Sequence, residues 1–209
     1  MRRTLRFRPV ATLCAMAVVT LAGCASTSVT HLHTLLPIDP PTRASNAATL
    51  PPILLDAVRV PAQVDQPQWL IRLDDGSAVA LEQERWAGPL RDEIHAALLE
   101  RLVRHHGALD VRGGASPPAY VRVSVELRRF ESAPGRLARI EGSWVLTPNR
   151  GGAPALRCNW LIDEAVGAGM PALASGHRRA IARLSDSIAL NLPRVATGQP
   201  ADCAVPAPT

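Results

Sequence analysis

Residues 121–128 read Val-Arg-Val-Ser-Val-Glu-Leu-Arg, and this stretch decides the fold. Strand side chains alternate between faces, so Val121, Val123, Val125 and Leu127 share one side while Arg122, Ser124, Glu126 and Arg128 share the other. One apolar face suits an antiparallel sheet covered on one side only. The pattern recurs twice downstream. Ile140, Trp144 and Leu146 oppose Arg139, Glu141 and Ser143; Leu156, Cys158, Trp160 and Ile162 oppose Arg157, Asn159 and Asp163. Pro134-Gly135 and Gly151-Gly152 supply the turns between these strands.

Working outward, Ile53 to Val60 predicts a strand closed by Pro61, and no internal repeat is evident. Gln68 to Leu73 and Ala78 to Gln83 flank Asp74-Asp75-Gly76-Ser77, where Asp-Gly between apolar runs signals a hairpin. Leu90, Ile94, Leu98 and Leu102 then recur at helical spacing, with Pro89 at the entry and Gly107 as a C-cap. A second helix is predicted from about Ala172 to Asn191, with the stripe His177, Ile181, Leu184, Ile188, Leu192, and Pro193 ending it. The order of elements predicts an α+β fold: a mainly antiparallel sheet with two helices packed on one face.

The 209 residues suit one such domain with flanking segments, and 47% hydrophobic content excludes wholesale disorder. The N-terminus reads as an address. Arg2, Arg3, Arg6 and Arg8 precede the apolar run Val10 to Leu21, which is shorter than the ~20 residues that cross a bilayer. Leu21-Ala22-Gly23-Cys24 resembles the lipobox of bacterial lipoproteins. That likeness implies cleavage after residue 23, acylation of Cys24 and, with Ala25 rather than Asp after the cysteine, the periplasmic face of the outer membrane. The expected layout is a signal peptide (1–23), a lipidated tether with a first short strand near 31–36 (24–52), the α+β domain (53–192) and a Pro/Ala-rich tail (193–209).

Removing the signal removes four of the 23 basic residues, all of them Arg, and none of the 18 acidic ones. The formal charge falls from +5 to about +1, which gives no support to nucleic-acid binding. Cys158 and Cys203 remain as an even pair in an oxidising compartment, where a disulfide would tie the tail to the domain. The alternative is a buried free thiol, since Cys158 lies on the core face of its strand.

Motifs for catalysis are missing. There is no G-x-S-x-G elbow, H-E-x-x-H or Walker loop, and a chain without Lys forms no Schiff base. His31-x-His33 could present two imidazoles to one ion, but the sequence places no third ligand nearby, so no metal and no cofactor are expected. His177, on an apolar stripe, reads as a packed, hydrogen-bonded histidine. The charged sheet face reads as cross-strand ion pairs, or as a docking surface.

Several blocks in order carry a resemblance. They are His33-Thr34-Leu35, Val58-Arg59-Val60-Pro61, Gln68 to Arg72, Arg85-Trp86-Ala87-Gly88-Pro89-Leu90, Val123 to Phe130 and Gly142-Ser143-Trp144. Together they resemble the paraquat-inducible protein C group of ABC-type transport auxiliary lipoproteins, with His33 standing where the group has Tyr. The resemblance implies a non-catalytic outer-membrane lipoprotein docking an inner-membrane MCE-domain protein that carries lipid between membranes. Arg85, Trp86 and Pro89 are candidate partner contacts, although the favoured reading of Trp86 is that it packs over the helix start while Pro89 sets the first turn. A lipid carrier and a regulator of peptidoglycan synthesis are the alternatives, and a homo-oligomer is left open.

Overall fold

The structure, a computed structural model, describes residues 28–38, 50–112 and 117–205. Cys24 and the signal segment lie outside the described residues. The elements are β1 (His31–His33), β2 (Ile53–Leu55), β3 (Gln68–Arg72), β4 (Ala78–Trp86), α1 (Leu90–Glu100) continued by a π turn (Arg101–His105), β5 (Val121–Ala133), β6 (Leu137–Pro148), β7 (Leu156–Ala165) and α2 (Met170–Ala196). The class is α+β, as the alternation predicts.

The strands divide into two sheets, ordered β2-β5-β6-β7 and β1-β4-β3. The single sheet expected from sequence is therefore corrected. β2 runs parallel to β5, with Ile53 opposite Val121, and takes the edge of β5 that the hairpin would need. The β3–β4 hairpin recruits β1 instead, which lies parallel to β4 with His33 opposite Trp86.

The strand expected over Ile53 to Val60 ends at Leu55 and returns only as a bridge between Arg59 and Glu126. Four residue steps from Leu55 to Arg59 face three from Val123 to Glu126, so one residue is extra and the ladder breaks. A second bulge falls in β5. Leu127 faces Gly142 and Arg129 faces Glu141, which leaves Arg128 over. The buried series therefore steps from Leu127 to Phe130 without leaving the core. A Cβ on Gly142 would lie 2.1 Å from the Glu126 carbonyl oxygen and 2.8 Å from the Trp160 ring, so only glycine fits this crossing.

α2 covers the inner face of the four-stranded sheet with Leu173, Ile181, Leu184, Ile188 and Leu192, all buried. Gly176 allows close approach, since a Cβ there would meet Val166 Cγ1 at 2.3 Å. Glu164 on β7, itself buried, accepts from Arg179 Nε and Arg183 Nη1, each at 3.0 Å, and fixes the helix laterally. Pro193 does not end the helix. It sits exposed in the last turns while Leu192 and Val195 remain buried, so apolar packing holds the backbone helical past the missing N–H. Gly198, at φ +70°, terminates it two residues beyond Ala196.

α1 buries Leu90, Ile94, Ala97 and Leu98. It then widens into the π turn, closed by His106 N donating to Arg101 O at 3.0 Å. Gly107 follows at φ +76°, the position expected of a C-cap.

Candidate functional site

The chain enters the domain through residues 31–35. Glu84 on β4 receives both histidines of β1, His31 Nδ1 at 3.1 Å and His33 Nε2 at 2.5 Å. Ala87 N donates to His33 O at 2.8 Å. Glu93 Oε2, in the first turn of α1, then accepts from Thr34 Oγ1 at 2.7 Å and Leu35 N at 2.9 Å. Arg178 of α2 donates to Thr34 O at 3.1 Å, and Leu35 is buried. Two carboxylates, Glu84 and Glu93, thus lock the entry segment to the second sheet and to α1. The pair His31-x-His33 meets a carboxylate, but among the described residues no group of three His, Cys, Asp or Glu is placed to hold a metal ion.

Behind this entry lies an aromatic block. Trp86 is 4% exposed, its ring 4.1 Å from that of Trp69 and 5.8 Å from Phe130. The ring therefore offers no surface to a partner, and Trp86 takes the packing role weighed from sequence. Arg85 instead turns back on its own strand, donating to Glu82 O at 3.0 Å, and Pro89 stands exposed just before α1. His33 approaches Trp69 edge-on at 4.9 Å, so the histidine that replaces an aromatic keeps ring packing.

His177 stacks on Phe130 at 4.0 Å and completes the block. Trp69 Nε1 donates to Ser132 Oγ at 2.8 Å, and Ser132 Oγ lies 2.8 Å from His177 Nε2. The indole only donates, so Ser132 Oγ accepts from it, and the direction of the second bond follows the His177 tautomer, whose Nδ1 is buried without a partner. Burial alone lowers the His177 pKa to about 3, so the ring is neutral at every physiological pH. Sealed in the core, this chain of donors holds the two sheets and α2 together and does not reach solvent.

Cys158 and Cys203 are joined in a disulfide. The strand end and the tail meet because the chain doubles back after α2. Ser187 Oγ donates to Ala204 O at 3.2 Å, and Asp202 N donates to Asn191 Oδ1 at 3.2 Å. The segment after the helix is a strap across α2 and β7, with Ala201 and Val205 resting on the core.

The outer face of the four-stranded sheet is open and charged. Arg139 meets Asp163 across the β6–β7 ladder through two hydrogen bonds of 2.6 Å. This contact lowers the Asp163 pKa and raises that of Arg139. Arg122 and Ser124 both donate to Asp56, at 2.8 and 2.6 Å. At the β2 edge lies a groove of about 540 Å³, lined by Val58 to Pro61, Arg91 and Glu126 to Arg128. Arg91 Nη1 pairs with Asp65 at 2.5 Å along its wall. The block ending at Pro61 thus shares one groove with Arg91 of α1 and with Glu126 to Arg128 of β5.

The four-stranded sheet is thus covered on one face and open and charged on the other, and the entry segment is locked against the second sheet and α1. Residues 33–189 match the family described as ABC-type transport auxiliary lipoprotein component. The chain belongs to that family. No curated protein sequence matches it. Among solved structures it is similar to a DUF330-family protein from Xanthomonas campestris, with a TM-score of 0.58 and 16% identity over 79% of this chain and 95% of that one. It is also similar to an uncharacterized protein, with a TM-score of 0.57 and 17% identity over 78% of this chain and 97% of that one. A putative lipoprotein from Caulobacter crescentus aligns over 51% of this chain and 82% of that one, at 18% identity and a TM-score of 0.33.

Sequence reasoning missed the Glu84 and Glu93 locks and the π turn. Glu93 had a local signal, an acid in a first helical turn, but its partners lie 58 and 59 residues away. Nothing local announces them.

Proposed function

We propose that this auxiliary lipoprotein is the outer-membrane subunit of an MCE-type intermembrane lipid transport system. Acylated at Cys24, it docks the periplasmic MCE-domain protein and performs no chemistry of its own. Family membership carries the reading, because an auxiliary component of ABC-type transport works by association. The open sheet face and the groove at Val58 to Pro61 and Arg91 are the docking surface under this proposal, with Arg59 and Glu126 as its charged contacts.

The test is affinity capture of the acylated chain from native envelopes. An MCE-domain protein is expected to co-purify and to be lost with Arg59→Glu, while a deletion strain becomes sensitive to detergents. Capture of a penicillin-binding protein instead would favour the peptidoglycan regulator. Stoichiometric bound lipid without an MCE partner would favour the carrier.

A further inference from the structure

We infer that a dip in the open sheet face, between Arg59 and Arg157, seats an acidic side chain of the docking partner. The inference rests on the docking proposal and narrows it to one contact. The dip measures about 190 Å³. Arg59 and Glu126 line one end, Arg157 lines the other, and Ser124 and Ser143 lie between them. That is below the size of pockets that enclose a whole small molecule, and suits the head of one side chain. Val125 and Val145 are its only apolar lining, too little to hold the acyl chains of a lipid.

The sheet register builds the dip. Arg59 faces Glu126, and Glu126 faces Ser143. On the neighbouring rung of this face, Ser124 faces Val145 and Val145 faces Arg157. The short serines leave a hollow over β5 and β6, and the two long arginines reach it from opposite sides. Pairing sets these arginines apart from the others on the face. Arg122 meets Asp56, Arg139 meets Asp163, and Arg129 meets Glu131 and Glu141. Arg128 donates to Asn159 Oδ1 and to the Gly142 carbonyl. Among the described residues the side chains of Arg59 and Arg157 have no partner, and neither has Glu126, although it stands opposite Arg59. All three are exposed. Two cations against one carboxylate leave a positive surplus, which a carboxylate from a partner matches. A guanidinium fork takes a carboxylate bidentately, and the attraction strengthens as the interface excludes water. Arginine is for that reason a frequent centre of interface energy.

The experiment uses a feature of the sequence. The chain contains no Lys, so Arg157→Lys keeps the charge and supplies its one side-chain amine. The full acylated chain with this substitution is captured from native envelopes and treated with a water-soluble carbodiimide, which joins an amine to a carboxylate in contact with it. Mass spectrometry is expected to find residue 157 joined to an Asp or Glu of the captured MCE-domain protein. Arg150→Lys, in the exposed turn after β6, should form no such link. Arg157→Gln should weaken binding of the same protein about tenfold, the loss expected of one charge-assisted hydrogen bond. Coupling confined to Glu126 shows that the dip serves the chain's own carboxylate and overturns the inference. Coupling to a second copy overturns it too, as does undiminished binding by Arg157→Gln. A captured MCE-domain protein that never couples at residue 157 also overturns it, while the docking proposal stands. Capture of no MCE-domain protein, even by the unsubstituted chain, fails both.

Discussion

Replacing Cys203 with Ser isolates what the disulfide does. Cys203 is exposed, so the substitution leaves native packing almost untouched, whereas Cys158→Ser would also bury a hydroxyl. The bridge closes a loop spanning 45 residues that contains most of β7 and all of α2. In the chain-entropy model, closing a loop of that length restricts the unfolded chain by about 4 kcal/mol at 25 °C. Without it the strap keeps two hydrogen bonds of 3.2 Å, from Ser187 to Ala204 and from Asp202 to Asn191, and the packing of Ala201 and Val205 on the core. For a domain of this size 4 kcal/mol corresponds to a Tm lowered by about 8–16 °C. The assay is paired urea and thermal unfolding of the unsubstituted chain, oxidised and reduced, and of Cys203→Ser. Reduction and substitution should give the same loss, and hydrogen exchange should quicken first in 199–205. A loss below about 1 kcal/mol would show that the unfolded chain is already restricted, or that the strap stays seated unaided, and either refutes the reasoning.

His177 makes stability acid-labile. Its folded pKa of about 3 lies below the ordinary value near 6.5, so the unfolded state protonates first. The contribution is whole above pH 6.5 and is lost as pH falls toward 3. Between pH 7 and pH 5 this amounts to about 2 kcal/mol, which His177→Leu should remove from the pH slope of urea unfolding. Gly142→Ala should cost about 3 kcal/mol by urea unfolding, because its Cβ meets the Glu126 carbonyl backbone and not a side chain that can swing aside. Glu93→Ala should leave global stability nearly intact yet raise hydrogen exchange at the Leu35 amide by at least about tenfold, since that amide loses its acceptor.

What the sequence disclosed, and what it withheld, follows the range of the forces involved. Alternation in 121–128 placed Val121 to Leu127 inward, whereas the bulge that makes Arg128 the extra residue and brings Phe130 inward was not read from it. The Asp-Gly hairpin is equally local: Gly76 takes φ +85°, and Asp75 accepts from Ser77 N at 2.8 Å. The division into two sheets was not legible, because it turns on which strand reaches the free edge of β5, and the winner, β2, pairs Ile53 with the sequence-distant Val121. The extent of α2 was misread because a local rule about Pro193 yielded to the burial of Leu192 and Val195. Trp86 shows the same limit at the candidate site. Its identity suggested either an anchor or a core residue, and only the neighbouring Trp69 and Phe130 decide for the core.

The entry segment connects these findings to the proposed anchoring. Strand β1 begins seven residues after Cys24, a reach of at most about 25 Å for an extended chain. Under the proposed acylation of Cys24 the three-stranded sheet would be held close to the leaflet, and any pull between membrane and domain would act first on residues 31–35. Their connections are distributed over β4, α1 and α2, through Glu84, Glu93 and Arg178. The exposed His31–Glu84 pair contributes little, while the His33–Glu84 pair is part-buried. Buried Leu35 and the backbone bonds to β4 therefore bear most of the load, with the carboxylates fixing register. Under the proposed docking role, such a joint would carry the position of the membrane anchor to the domain. A long flexible tether would instead let the open sheet face wander through the periplasm.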